Sequence, residues 1–107
     1  MGPPVAVEPF LGRFREALAH RYGPRLARVV LFGSRARGDF DADSDYDVAV
    51  FIRDAGSLWD EAGVIAPLAT PFLLSDDALI AAMPFPAEQY DDGSPLMREI
   101  ARDGLDL

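Results

Sequence analysis

Apolar side chains recur at Phe10, Leu11, Phe14, Leu18 and Tyr22, the three-and-four spacing of an amphipathic helix that packs on a sheet. The helix starts at Pro9, and Gly23-Pro24 ends it. An unbroken apolar run, Val29-Val30-Leu31-Phe32, then predicts a buried strand over about Arg28 to Phe32. A polar loop with two glycines, Gly33 to Ser44, leads to a second strand from Tyr46 to Ile52. Alternation puts Asp47, Ala49 and Phe51 on one face and Tyr46, Val48, Val50 and Ile52 on the other. Apolar residues on both faces mean burial on both sides. The predicted class is therefore α/β, a small mixed sheet with helices packed on it.

The second half of the chain is less regular. Ser57 is a candidate cap for a helix reaching towards Leu68, with Gly63 weakening it and Pro67 ending it. Phe72-Leu73-Leu74 reads as a short third strand, and Ser75-Asp76-Asp77 as the start of a short helix through Met83 that Pro84 and Pro86 stop. Phe85 to Gly93 reads as a loop. Ser94 caps a last helix with Pro95 at its first position and an apolar stripe of Leu96, Met97, Ile100 and Ala101. Gly104 stops it, and Leu105-Asp106-Leu107 forms a short edge strand. Met1 to Val7 is a loose lead-in. With no internal repeat and no linker, residues 1–107 are expected to form one domain.

Composition narrows the function. The chain is 50% hydrophobic and 26% charged, which argues against disorder. It has no cysteine, so disulfides, thiolate metal sites and cysteine nucleophiles are excluded. A reducing, cytoplasmic location is expected. The apolar runs fall far short of the roughly 20 residues that cross a bilayer, and the start lacks the basic and apolar regions of a signal peptide. Eighteen acidic against ten basic side chains give a net charge of −8. Such a surface repels a nucleic-acid backbone, so direct nucleic-acid binding is not expected, and it favours a basic protein partner. Solubility alone would account for the charge equally well.

The chemistry lies between the two strands. Asp45 and Asp47 are two apart at a strand start, so both carboxylates reach one side, about 6 to 7 Å apart at their backbones. Magnesium takes oxygen ligands in an octahedron, often one or two carboxylates completed by phosphate and water. Gly33 lets a backbone approach phosphates, Ser34 offers a hydroxyl and an amide, and Arg37, or less readily Arg35, neutralises phosphate or braces the acidic loop. Each has an ordinary alternative: a turn, a solvated strand end, surface ion pairs. His20 falls on the polar side of the first helix and is assigned no chemistry. Asp39-x-Asp41-x-Asp43 imitates a calcium loop, but Ser44 stands where a glycine is required and Val50 where a glutamate is required. A lysine-bearing phosphate loop is excluded because the chain has no GKS or GKT.

Taken jointly, Gly33-Ser34-Arg35-Ala36-Arg37-Gly38 followed by Ser44-Asp45-Tyr46-Asp47-Val48-Ala49-Val50 resembles the signature of the DNA polymerase beta-like nucleotidyltransferase superfamily, most closely its minimal members. Leu96 to Leu107 is similar to the closing helix, glycine and strand of those proteins. The resemblance implies that Gly33 and Ser34 hold the triphosphate of a nucleotide such as ATP, and that Asp45 and Asp47 are the first two ligands of Mg2+. It also implies a third carboxylate on the next strand. The chain departs from that pattern: Phe72-Leu73-Leu74 and Ala69-Thr70-Pro71 contain no acid, Asp76 and Asp77 lie at the far end, and Asp60 and Glu61 come too early. Its absence weakens turnover more than nucleotide binding.

Minimal members of the family are commonly encoded beside a small helical HEPN-type (higher-eukaryote and prokaryote nucleotide-binding) protein, in pairs that resemble a toxin and antitoxin. The resemblance therefore implies transfer of AMP from ATP to a partner-protein hydroxyl or, alternatively, a catalytically degenerate protein that neutralises its partner by binding. Aminoglycoside nucleotidylation is a weaker third option, since so short a chain lacks a domain to build the acceptor pocket. Phe72, Met83 and Phe85 are candidate partner contacts, and the small sheet is open to covering by a partner or a second copy.

Overall fold

In the computed structural model, which describes residues 8–107, four strands form one mixed sheet in the order β3-β2-β1-β4. Helix α1 (Pro9–Tyr22) leads through a 3-10 turn, Gly23–Arg25, into β1 (Leu26–Phe32). A one-turn helix, α2 (Ser34–Arg37), follows, then β2 (Tyr46–Ile52), α3 (Leu58–Asp76) and β3 (Ile80–Pro86). A second 3-10 turn, Ala87–Asp91, precedes α4 (Pro95–Asp103) and β4 (Leu105–Asp106). β1 pairs antiparallel with β2 and β4, whereas β2 and β3 run parallel, joined by α3 as a crossover. The lead-in, Met1 to Val7, lies outside the described residues.

The alternation predicted for β2 sorts the two cores. Tyr46, Val48, Val50 and Ile52 face α1 and α3 with Phe10, Leu11, Phe14, Leu18, Ile65 and Phe72. Ala49 and Phe51 face α4 with Val30, Phe32, Met97 and Ile100. All five apolar positions of the first helical stripe are buried. Glu61, the one buried charge among the described residues, accepts from Arg25 Nη2 at 3.0 Å and from the Tyr22 hydroxyl at 3.4 Å, tying α3 to the end of α1. That environment raises the Tyr22 phenol above its ordinary value, through burial first and then the Glu61 charge.

The structure corrects the reading of residues 57–86. Ser57 does cap α3, its hydroxyl accepting from the Asp60 amide at 3.4 Å, but the helix runs through Pro67 and Pro71 to Asp76. Both prolines lie on the exposed face, and Gly63 and Pro67, whose carbonyls lose their usual donors, are exposed residues as well. Ile65 and Phe72 are held in the core on the opposite face, and this packing overrides the local penalty. Phe72-Leu73-Leu74 is therefore helix, not strand. Asp77, left-handed at φ 52°, ends that helix where a new one was predicted to start. The third strand is Ile80–Pro86: at the sheet edge Pro84 and Pro86 need not donate to β2, so they do not interrupt it. Part of the predicted loop, Ala87–Asp91, is the 3-10 turn.

The last helix matches expectation. The Ser94 hydroxyl accepts from the Met97 amide at 3.3 Å, Pro95 occupies the first turn, and β4 pairs at the far edge of the sheet. Of the predicted partner contacts, Phe72 is buried between the rings of Phe10 and Phe14, and Phe85 stacks on Phe51 with centroids 5.5 Å apart. Both belong to the cores, and only Met83 is exposed.

Candidate active site

The β1–β2 register places Phe32 opposite Asp47, so the chain leaves β1 at Gly33 directly beside that carboxylate. Gly33 has φ 73° and ψ −156°, a conformation open essentially to glycine. A Cβ built there would stand 2.5 Å from Asp47 Oδ2. The missing side chain is therefore what allows backbone and carboxylate to share this space. The chain then winds into α2, with the amides of Ala36 and Arg37 donating to the Gly33 carbonyl, each at 3.1 Å, and Gly38 reverses it at φ 89°.

Asp45 is exposed at the mouth of β2, and Asp47 is half-buried one step inside. The Asp47 carboxyl is raised above its usual range: burial acts first, then the charges of Asp45 and Glu99, with Arg37 opposing. Glu99 was not foreseen. It lies on α4, which packs against the same sheet face as Asp47, and accepts from Arg37 Nη1 at 3.1 Å. In the sequence it was one polar residue beside an apolar stripe, with nothing to separate it from a solvated side chain. Arg37 also reaches Asp39 at 3.3 Å and thus sits among acids.

Arg35 has a different role. Its Nε and Nη2 donate to the Ser44 carbonyl at 3.2 and 3.0 Å, and its guanidinium lies 4.2 Å from the ring centres of both Phe40 and Tyr46. It braces the acidic loop. Arg35→Ala removes charge-assisted hydrogen bonds and two cation–π contacts, and is expected to lower stability by about 1–3 kcal/mol. Urea unfolding reads this directly, and Arg35→Lys should recover only part of the loss because lysine lacks the planar fork.

The third-carboxylate question moves to a different strand with the same answer. β3 puts Ala81 level with Asp47, and the residues that follow on that face are Met83 and Phe85. Ile80–Pro86 contains no acid. Among the described residues no group of three or more His, Cys, Asp or Glu is placed to hold a metal ion. The Asp47 carboxylate nevertheless has Gly33 against it and the charges of Asp45 and Arg37 acting on it, and Ser34 follows Gly33 as the first residue of α2.

Residues 11–88 match the family model of the nucleotidyltransferase domain. The chain belongs to the nucleotidyltransferase domain family. It is 35% identical over 68 residues to a candidate protein adenylyltransferase of Methanocaldococcus jannaschii, covering 64% of this chain and 68% of that protein. The fold aligns with a candidate nucleotidyltransferase of Sulfolobus solfataricus at a TM-score of 0.65 and 20% identity, over 90% of this chain and 74% of that one. A candidate minimal nucleotidyltransferase aligns at 0.58 and 25% identity, over 99% and 100% of the two chains. A chain of a toxin–antitoxin structure with AMP-PNP aligns at 0.56 and 20% identity, over 88% and 69%. Such nucleotidyltransferases generally use a nucleoside triphosphate and a divalent metal. Among the described residues no helix is long and apolar enough to cross a membrane.

Proposed function

We propose that this nucleotidyltransferase moves AMP from ATP to a hydroxyl of a partner protein. The observation that carries the reading is Gly33 set against the Asp47 carboxylate with Asp45 alongside. Together they offer a backbone that phosphates can approach and two hard oxygen ligands. The donor set fits Mg2+, since burial and the neighbouring Asp45 and Glu99 charges disfavour the Asp47 anion unless a cation stands beside it. Asp45 and Asp47 would hold the ion, whose chemistry is to neutralise the triphosphate and make the attacking hydroxyl more acidic.

Gly33 and Ser34 receive the triphosphate, and Arg37, released from Glu99, neutralises charge that accumulates as the leaving group departs. The acceptor oxygen attacks the α phosphorus in line, the bond between the α phosphorus and the bridging oxygen breaks, and pyrophosphate leaves while the hydroxyl proton passes to solvent. The adenylyltransferase relative supports AMP as the transferred group, and the toxin–antitoxin structure with AMP-PNP supports ATP and a protein partner. A helical HEPN-type protein encoded nearby, and a cytoplasmic setting, remain part of this reading. With ATP labelled on either the α or the γ phosphate, only the α label should become protein-bound. Retention of the γ label, or of neither, would contradict it.

A second reading rests on Ala81. The strand beside Asp47 presents a methyl group where a third carboxylate is expected, which favours a protein that binds nucleotide and partner without turning over. Partner binding that is insensitive to Asp45→Asn/Asp47→Asn, together with no transfer by the parent, is the outcome specific to this alternative.

A further inference from the structure

Three depressions run into one another across the α3 and β3 side of the molecule. The first, about 550 Å3, lies along the outer face of α3 between Gly63 and Leu74. The second, about 330 Å3, shares Ala66 and Thr70 with it and continues over Leu73 to Leu79 and β3. The third, about 390 Å3, shares Leu73 and Leu79 with the second and ends at Asp43, Ser44 and Asp45. A single furrow thus leads from the α3 face to the outer carboxylate of the pair. Leu74, Leu79 and Leu73 line its course and are 85%, 52% and 45% exposed, and Trp59, 87% exposed, stands on α3 one turn before Gly63, where the first depression begins. Apolar exposure of this kind along a groove marks an interaction surface.

We propose that this furrow is the docking surface for the acceptor protein, which seats a helix with an apolar face and basic flanks on α3 and brings its hydroxyl to Asp45. The proposal rests on the nucleotide-transfer reading above. Charge selects the occupant. Leu58–Asp76 contains no lysine or arginine; its Glu61 is buried against Arg25 and its Asp76 is paired with Arg13 at 3.2 Å, so the acids that face an occupant are Asp60 at the start of α3 and Asp43, Asp45 and Asp77 at the end near the site. Among the residues lining the three depressions, Arg35 alone is basic, and its guanidinium is already engaged by Ser44, Phe40 and Tyr46. A second copy would bring a charge of −8 against −8 and the same acids face to face, which association disfavours.

Backbone chemistry points the same way. Pro67 and Pro71 have no N–H for the carbonyls of Gly63 and Pro67, and all three residues line the first depression. Pairing of an added strand with β3 is restricted by Pro84 and Pro86, which have no N–H to give along the free edge. A helix laid in the groove is the mode that remains.

Trp59 is the chain's one tryptophan, so its emission reports occupancy. The test titrates the whole protein with a synthetic helix of roughly five turns carrying a leucine face flanked by lysines, and with the same helix flanked by glutamates. The lysine helix should shift Trp59 emission to shorter wavelength and bind at least about tenfold more tightly than its glutamate counterpart. Leu74→Asp should weaken it about tenfold, whereas Leu96→Asp, on the opposite side of the sheet, should not. No shift, equal binding of both helices, or binding indifferent to Leu74→Asp overturns the proposal. Burial of Trp59 by raising the concentration of the protein alone overturns it in favour of a second copy. The titration contains neither ATP nor magnesium, and Leu74 lies outside the carboxylate pair. Failure of peptide binding therefore leaves the transfer reading standing, and failure of AMP transfer leaves the binding result standing.

Discussion

Asp47→Asn should reduce AMP transfer by roughly 10^3-fold, the several kcal/mol that a ligated ion contributes to the transition state, and should at the same time stabilise the metal-free fold at neutral pH. The two effects have one origin. Burial and the charges of Asp45 and Glu99 raise the Asp47 carboxyl above the ordinary 3.8, only partly offset by Arg37. The folded protein therefore keeps a proton at pH values where the unfolded chain has lost it. By linkage, stability falls as pH rises from the ordinary carboxylate value through the raised folded one. At neutral pH the ionised Asp47 thus opposes folding, and asparagine removes that opposition while keeping the shape. Thermal melts from pH 3 to 8 read it: the variant should melt above the parent at neutral pH, and the gap should close in acid. A parent that gains stability on rising through that window would show that Arg37 outweighs the acids.

Gly33→Ala should be the most damaging substitution outside the carboxylates. The backbone at φ 73° and ψ −156° is strained for any residue with a Cβ, costing about 1–3 kcal/mol. The new methyl also stands 2.5 Å from Asp47 Oδ2, so the carboxylate has to move by a distance on the ångström scale. A misplacement of that size can cost about 100-fold in rate, and a loss of that order in kcat/KM is expected. Gly38→Ala separates the two contributions. Gly38 is also left-handed, at φ 89°, but a Cβ there meets nothing within 4 Å, so stability should fall while transfer persists.

The features legible in the sequence were those with a strict period or a local rule. The helix of Phe10, Leu11, Phe14, Leu18 and Tyr22, the two-sided β2, the Ser57 and Ser94 caps and the closing Leu105-Asp106 strand each follow from spacing or capping chemistry. What escaped depended on partners distant in sequence. Pro67 and Pro71 break a helix by local rules but are tolerated where they lie on the exposed face and Ile65 and Phe72 anchor the opposite side. Ile80–Pro86 reads as punctuation until the sheet shows it to be an edge. The candidate site divides in the same way. Gly33, Ser34, Asp45 and Asp47 sit within one hairpin-like stretch and were found together, whereas Glu99 comes to Arg37 from 62 residues away. The sequence favours Arg37 over Arg35 without giving either a partner, and the structure has Arg35 clasping Ser44 and Arg37 standing among the acids.

The central claim, that a site with two aspartates and Ala81 in place of a third acid transfers AMP, is tested most directly by intact-mass spectrometry of the proposed partner, a helical protein expected to be encoded nearby. The measurement follows incubation with this protein, ATP and Mg2+, in parallel with the Asp45→Asn/Asp47→Asn variant. The account predicts a gain of one AMP unit on the partner with the parent and none with the variant. An unchanged partner mass, with a complex that forms equally well with parent and variant, would contradict it and leave a protein that acts by binding alone.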